Sequence, residues 1–448
     1  MKIKVFPADS SDFVKPVSKT AASLNLLLFS GICVLLAFGP LALGAVHEWA
    51  IFTIEAGAAV LFVIWALREI ASGEITVTRN PLFIPIALFA LLVITQLVLH
   101  RTAYWYATWV KALLWAAYGL IFFLVSQTIR GRKLWTSLGI FLSVYGALVA
   151  LFAIAQQFAG NGKIYWIMSN QLGWIYGPYV HHAHYAGLME MLVPIPLVLA
   201  MARVFPRPAQ VLLGFAALVM ASTIFLSQSL GGILAFCAQL LLLFFVLGKS
   251  GQSRRSLAAL GLLCVLLAVS LVALRPVGLA HRLARLRDPI GQADAGSRIM
   301  IVKDAWHMGR ARPLLGWGLG TFPVVYPAFR SFYSDRWVNE AHNDFVQLWV
   351  ETGTLGFLLM CVFLAMLYRA GFSNIGQWRR DPRAAMALAA LIGCAGILVH
   401  GLSDFNMQVP ANAALFFALA AIATIPRTAV RNQITETTTV KLNYVYSR

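Results

Sequence analysis

Apolar segments close to twenty residues long recur along almost the whole of this 448-residue chain. A helix rises about 1.5 Å per residue, so about twenty apolar residues cross a hydrocarbon layer about 30 Å thick. Hydrophobic residues make up 60% of the chain and charged residues only 12%, which is too little polar surface for a water-soluble domain of this length. The sequence therefore predicts one membrane domain, an all-α polytopic protein.

The apolar segments predict twelve membrane-spanning helices. They lie at 23–44, 49–70, 81–99, 107–129, 135–158, 183–203, 209–227, 231–248, 257–275, 344–368, 383–403 and 410–426. Residues 1–22 form a tail without an early apolar core, so the first span rather than a cleaved signal peptide is expected to direct insertion. The chain is thus divided into this tail, spans one to nine (23–275), a large loop (276–343), spans ten to twelve (344–426) and a second tail (427–448).

The distribution of Lys and Arg predicts the orientation. Outside the large loop, most Lys and Arg residues fall in the two tails and in every second loop between spans. Only Arg101 and Lys163 lie in the remaining short loops. Short loops and tails rich in Lys and Arg are retained on the cytoplasmic side of the membrane. Both termini are therefore expected in the cytoplasm, and the large loop is expected in the periplasm. The formal charge of +18 arises from clusters between apolar segments, so no nucleic acid partner is expected.

The loop 276–343 is basic although it is expected on the periplasmic side. The preference of basic residues for the cytoplasm permits this, because long loops cross the membrane regardless of their charge. A basic outer loop suits an anionic ligand such as a phosphate-bearing lipid, and a merely solvated loop is the alternative. Within it, Arg282, Arg285 and Arg287 recur at roughly helical spacing. One helix face would present them either to a diphosphate or to anionic lipid headgroups.

All nine histidines fall in predicted outer loops or at the outer ends of spans, which predicts an outward-facing site rather than a cytosolic nucleotide-using enzyme. His181, His182 and His184 form a cluster without a nearby carboxylate or cysteine, so they are candidates for donor or acceptor contact and no metal site is predicted. The glycines of GWGLGT (316–321) follow no strand and carry no phosphate-loop lysine, so tight turns are expected there.

The sharpest local feature is the sequence NEAHND at 339–344, immediately before an apolar run. Asn343 and Asp344 are good helix-capping residues, so His342 is predicted at the outer N-terminus of the tenth span. The positive end of a helix disfavours a further positive charge, so this imidazole is expected to serve as a proton acceptor.

Ionisable residues inside spans are expected to face the bundle interior or a cavity. They are Glu55, Lys111, Glu190 and Glu351. Glu351 lies below His342 on the tenth span, where it is expected either to line an acceptor pocket or to pair with Lys111. Asp404 and Asn406, at the outer end of the eleventh span, are candidate partners for orienting His342 or a sugar.

The stretch from His342-Asn343 through nine residues to the sequence GTLG at 353–356 resembles the HN-x9-GxxG signature of the O-antigen ligase-like membrane proteins. Residues 177–191, 296–356 and 400–413 are also similar to that family, so the resemblance extends over most of the chain. One departure lies at 227–232: family members commonly carry an arginine before paired glycines, whereas this chain reads SQSLGG. A second phosphate-binding arginine must then come from elsewhere or be absent.

The resemblance implies a metal-independent, cofactor-free inverting glycosyltransferase of GT-C-like fold in the bacterial inner membrane. Its donor would be a glycan on undecaprenyl pyrophosphate, with His342 as base, Arg298 on the pyrophosphate, and Asn343 among the substrate-binding residues. The acceptor stays open between a lipid A-core, which makes a ligase, and another lipid-linked glycan, which makes a polymerase. A transporter or flippase of lipid-linked sugars is the rival, which would place ionisable residues along a path through the bilayer midplane.

Overall fold

The computed structural model describes residues 2–5, 19–169, 175–249, 261, 265, 293–333 and 337–426. Nearly all regular structure in these residues is helical, which confirms the all-α prediction for this part of the chain. The ninth predicted span at 257–275, most of the two tails, and Arg282, Arg285 and Arg287 lie outside the described residues.

Fourteen α-helices occur in the described residues. The first nine are α1 (Lys19–Leu41), α2 (Glu48–Ser72), α3 (Phe83–Val98), α4 (Trp105–Thr128), α5 (Gly131–Ala159), α6 (His182–Leu192), α7 (Pro194–Met201), α8 (Arg207–Leu226) and α9 (Leu230–Lys249). The others are α10 (Ala293–Ala311), α11 (Phe322–Val325), α12 (Asp344–Asn374), α13 (Pro382–His400) and α14 (Pro410–Thr424). Strands β1 (Lys2–Val5) and β2 (Glu74–Val77) pair in parallel, and β3 (Lys163–Ile164) pairs with β4 (Met168–Ser169) in antiparallel fashion.

Among the described residues, nine helical segments are long and apolar enough to cross a membrane, with α6 and α7 counted as one. The apolar helices α3 and α14 are shorter. These eleven segments follow the predicted spans in order. The described loop residues contain α10, α11 and the short 3₁₀ turn Tyr326–Ala328, so this part of the predicted outer loop is partly helical.

Two spans differ from their predicted form. The sixth is divided at Val193 because Pro194 and Pro196 open a new helix and neither has a backbone N–H to donate. The tenth runs to Asn374 and is interrupted at Gly353, whose φ is +67°. At this interruption the loop enters the helix, because Thr354 N donates to Pro313 O (2.7 Å) and Leu355 N donates to Leu314 O (3.3 Å).

The most buried helices are α6, α13 and α14, and every residue of α14 is buried. Helix α13 packs against α7, α9 and α14, and α14 packs against α4. The surrounding helices instead expose large apolar side chains, such as Val34 and Phe52, as helices facing lipid do. This arrangement brings the beginnings of α6, α12 and α14 to the end of α13, where the polar residues of the predicted site gather.

Candidate functional site

The turn that follows α13, residues 400–404, is the centre of the polar contacts at this end of the bundle. Four consecutive carbonyls accept a hydrogen bond: His400 O from Ser403 N (3.0 Å), Gly401 O from Asp344 N (2.9 Å), Leu402 O from Asn343 Nδ2 (2.9 Å) and Ser403 O from Arg298 Nη1 (3.2 Å). The turn therefore fixes the beginning of α12 and the loop helix α10 at the same place.

His342 precedes α12 as the sequence predicted. The side chain of Asn343 caps the helix by accepting from Phe345 N (3.1 Å) and Val346 N (3.0 Å). His342 itself has a φ of +53°, which is uncommon for a residue with a side chain and persists where the surroundings enforce it. The imidazole keeps 24% of its surface exposed, so it is within reach of a substrate.

Asp404 connects the two residues that the resemblance singles out. Its Oδ1 lies 3.7 Å from His342 Nδ1, and its Oδ2 lies 3.7 Å from Arg298 Nη1. Burial of Asp404 alone would raise its pKa, but the contact with His342 and the charge of Arg298 outweigh burial and hold that pKa well below its usual range. An ionised Asp404 that faces Nδ1 leaves Nε2 of His342 as the nitrogen able to accept a proton.

The loop helix α10 carries Arg298 and is held against α12. Tyr326 Oη donates to Asp304 Oδ2 (3.1 Å), and Ser331 N donates to the same oxygen (3.0 Å). The rings of Trp306 and Trp349 lie 4.7 Å apart between their centroids. These contacts fix the helix on which Arg298 stands, while the Arg298 side chain itself keeps 39% of its surface exposed.

Glu351 has contacts that favour a structural role. Its Oε2 accepts from Gly320 N (2.9 Å) and its Oε1 accepts from Phe322 N (3.3 Å), while the residue is 1% exposed. The carboxylate thus holds the glycine-rich turn of the loop, and Lys111 packs its stem against the same turn at Gly320. Gly316, Gly318 and Gly320 all have positive φ, which confirms the predicted tight turns.

His182 and His184 lie behind the site. They are 7% and 5% exposed, and their rings contact that of His181, with centroid distances of 4.6 Å and 4.9 Å. The ring of Phe405 stands between His184 (4.8 Å) and His342 (4.9 Å) and meets both edge to face. Contact of His182 or His184 with a substrate stays a prediction, and their burial favours support of the site from within.

Of the residues predicted for the site, the structure therefore brings together Arg298, His342, Asn343 and Asp404. Asn406 instead accepts from Asn412 Nδ2 (3.2 Å). Sequence reasoning missed a second buried pair, Glu190 with His400, whose side chains lie 2.8 Å apart. The sequence marks Glu190 as an ionisable group inside a span and His400 as a histidine at an outer end, but nothing in it pairs the two.

These features define a multi-pass membrane protein with a polar, solvent-reached cluster at one end of its helical bundle. A model of the O-antigen ligase family matches residues 215–361, about a third of the chain. The match confirms the resemblance to O-antigen ligase-like proteins, and it includes Arg298, His342 and Asn343. It indicates a membrane glycosyltransferase-like enzyme of the ligase or polymerase type. A search of curated proteins found no match.

Proposed function

We propose that this protein transfers a glycan from undecaprenyl pyrophosphate to a sugar hydroxyl on a lipid A-core, at the periplasmic face of the bacterial inner membrane. One observation carries the proposal: a buried carboxylate, Asp404, lies with one oxygen toward His342 and the other toward Arg298. This arrangement places a proton acceptor and a guanidinium beside each other at an exposed surface, which are the two groups that such a transfer requires.

In the proposed reaction His342 is the general base. A sugar hydroxyl is a weak nucleophile, so Nε2 of His342 takes its proton as the oxygen bonds to the anomeric carbon of the donor. The bond from that carbon to the pyrophosphate oxygen breaks on the opposite face, which inverts the anomeric configuration. Asp404 stabilises the imidazolium that forms and keeps Nε2 turned outward. The proton thus ends on His342, and the electron pair leaves with undecaprenyl pyrophosphate.

Arg298 is assigned to the leaving group. Among the described residues its guanidinium, 39% exposed, donates one hydrogen bond, to Ser403 O, so other N–H groups face outward. A guanidinium binds two phosphate oxygens at once and stabilises the negative charge that develops on them. Arg298 is proposed to supply this stabilisation in place of a metal. Arg282, Arg285 and Arg287 are proposed to supply the second cation, and Asn343 to hold His342 at the acceptor.

A polymerase is the second candidate, because it shares the donor, the leaving group and the base and differs only in using another lipid-linked glycan as acceptor. A transporter of lipid-linked sugars is less consistent with this arrangement. His184, His342, His400 and Asp404 all gather at one end of the bundle, which suits chemistry on one side of a membrane. A transport path would instead require polar groups through the midplane.

The proposal is tested by transfer with purified protein in detergent, in the presence of EDTA. Undecaprenyl-pyrophosphate glycan is supplied with lipid A-core or with a second donor molecule as acceptor, and the wild type is compared with His342→Gln and Arg298→Gln. We expect wild-type transfer to survive EDTA and both variants to lose it by about 10²-fold or more. The acceptor that is glycosylated distinguishes ligase from polymerase. A well-folded wild type that glycosylates neither acceptor, or a fully active His342→Gln, overturns the proposal.

A further inference from the structure

A second acid–imidazole pair lies directly beneath the 400–404 turn. His400 Nδ1 is 2.8 Å from Glu190 Oε1, and His400 Nε2 is 3.3 Å from Ser229 Oγ. The side chains of His400 and Glu190 are 1% and 0% exposed. Both ring nitrogens of His400 therefore have a partner, and the pair joins three helices, α6 through Glu190, α9 beside Ser229, and α13 through His400 itself.

The paired glycines that follow Ser229 make room for this pair. A Cβ at Gly231 would lie 2.6 Å from Cδ2 and 2.8 Å from Nε2 of His400. A Cβ at Gly232 would lie 3.0 Å from Glu190 Oε1. A side chain at Gly231 would require the imidazole to move, and one at Gly232 would meet Ala186 Cβ (2.8 Å) as well as the carboxylate, so the two glycines leave the space that the pair occupies.

His400 is also the first residue of the turn that organises the site. Its carbonyl accepts from both the N–H (3.0 Å) and the hydroxyl (3.2 Å) of Ser403. Ser403 in turn accepts from Arg298, and Asp404 follows it. His400 thus contacts Glu190 and Ser229 through its ring and begins, through its backbone carbonyl, the turn whose Ser403 and Asp404 contact Arg298 and His342.

Stability alone does not account for the pair. Moving two ionisable groups out of water costs free energy that their attraction seldom exceeds, and apolar packing of the same volume often serves as well. Within the described part of the chain, Glu190 Oε2 makes no hydrogen bond, so the carboxylate is not even fully satisfied. Ionisable residues at membrane depth mark function by default, and here the contacts indicate which function.

We propose that Glu190 and His400 are positioning residues that set the geometry of Asp404, and through it of His342 and Arg298, for the transfer reaction. The inference rests on the proposed function and deepens it, because it assigns a role to residues that touch neither substrate nor the reacting atoms. Removal of the pair leaves the base present but incorrectly held, so the rate of transfer falls while the protein still binds its donor.

A double-mutant cycle tests this. Transfer rates per folded protein are measured for the wild type, Glu190→Gln, Asp404→Asn and the double variant. A positioning role that acts through Asp404 predicts that Glu190→Gln slows the wild type on the order of tenfold but scarcely slows the Asp404→Asn protein. An effect of Glu190 that does not act through Asp404 slows both backgrounds by the same factor, and that additive result overturns the inference. Glu55→Gln, another carboxyl inside a span, is the control and is expected to leave the rate unchanged.

Conservative variants of His400 supply a second test. An asparagine amide takes the place of Nδ1 and keeps the contact with Glu190, whereas a glutamine amide takes the place of Nε2 and keeps only the contact with Ser229. We expect His400→Asn to retain severalfold more activity than His400→Gln, and equal losses in both count against the proposal. If Glu190→Gln does not fold, the same cycle is run with Ser229→Ala. An inactive wild type overturns the proposed function and this inference with it, whereas an active wild type with additive losses overturns the inference alone.

Discussion

The two ends of the helical bundle both bury charged and polar side chains, but the hydrogen-bond partners of those side chains differ. At the end opposite the site, Arg68 is buried beside Glu69, and its guanidinium also donates to Asn25 Oδ1 (2.6 Å) and to Gln127 O (3.3 Å). Glu69 uses both oxygens, because Oε1 accepts from Arg68 and Oε2 accepts from Thr76 N (2.7 Å).

At the site end, ionisable and amide side chains have polar atoms without such partners, whereas at the opposite end the described side-chain atoms without one include a hydroxyl and two indoles, Thr128 Oγ1, Trp65 Nε1 and Trp135 Nε1. Both ring nitrogens of His184, Oδ1 of Asp344 and Nδ2 of Asn406 are buried and make no hydrogen bond to any residue that the structure describes. His342 adds a left-handed backbone conformation. Unpaired polar atoms and backbone strain cost stability, so natural proteins keep them where they serve function.

The comparison thus separates two uses of buried polarity in one molecule. The network around Arg68 closes the ends of α2 and α4 over β2, and its value is structural. The cluster around the 400–404 turn holds Arg298 and His342 at the surface and accepts a cost in stability for doing so. Variants at the two ends are therefore expected to fail in different assays.

The largest effect is expected from Asp404→Asn. The neutral amide no longer stabilises an imidazolium at His342, so the transfer rate per folded protein is expected to fall by about 10²–10⁴-fold with little loss of folded protein. Asp381→Asn is the matched control, because Asp381 caps α13 at its other end by accepting from Arg383 N (3.0 Å). An Asp404→Asn protein within twofold of the wild type would remove the main support for the proposed site.

Arg68→Met should show the opposite behaviour. It leaves the buried Glu69 carboxylate without its cation, which costs about 3–5 kcal/mol of stability. Thermal melting in detergent is expected to show the loss, while the fraction that remains folded keeps its transfer rate. If Arg68→Met melts like the wild type but transfers poorly, the distinction between the two ends is wrong.

Sequence patterns predicted the features that depend on neighbouring residues. The eleven described apolar segments, the cap at Asn343, the position of His342 and the turns at the loop glycines all follow from patterns of neighbouring residues. The contacts of Glu190 with His400, and of Arg298 with Asp404, join residues 210 and 106 positions apart and depend on how the helices pack. The interruption of α12 at Gly353 could not be predicted for the same reason. There the helix contacts the loop backbone at Leu314, which is distant in sequence.

Gly353→Ala tests that interruption. The new Cβ would lie 2.2 Å from Leu314 O at a positive φ, so we expect a loss of about 1–3 kcal/mol and weaker docking of the loop. Gly214→Ala in α8 has no atom within 4 Å and is expected to stabilise the protein by about 0.5–1 kcal/mol. The melting temperatures of the two variants should change in opposite directions. A change in the same direction would mean that the position of Gly353 tolerates a side chain.

The smallest expected effect concerns the dependence of stability on pH, through a carboxyl group at the site end. Burial raises the pKa of Glu340 to about 7, although Lys111 and the hydrogen bond from Gln347 act to lower it. The folded protein thus favours the protonated carboxyl. That contribution to stability is complete below the ordinary value of 4.5 and is lost as the pH rises through about 7.

The contacts of Gln347 connect this titration to His342. Gln347 Nε2 donates to Glu340, and Gln347 Oε1 accepts from Ala341 N (2.8 Å), the residue before His342. The wild type should therefore melt at a lower temperature at pH 8 than at pH 5, and Glu340→Gln should reduce that difference, because the amide is neutral at both. Glu48→Gln, at an exposed position, controls for the loss of a carboxyl as such. An unchanged difference in Glu340→Gln would mean that the segment leading to His342 does not respond to this group, and that the pH dependence arises elsewhere in the bundle.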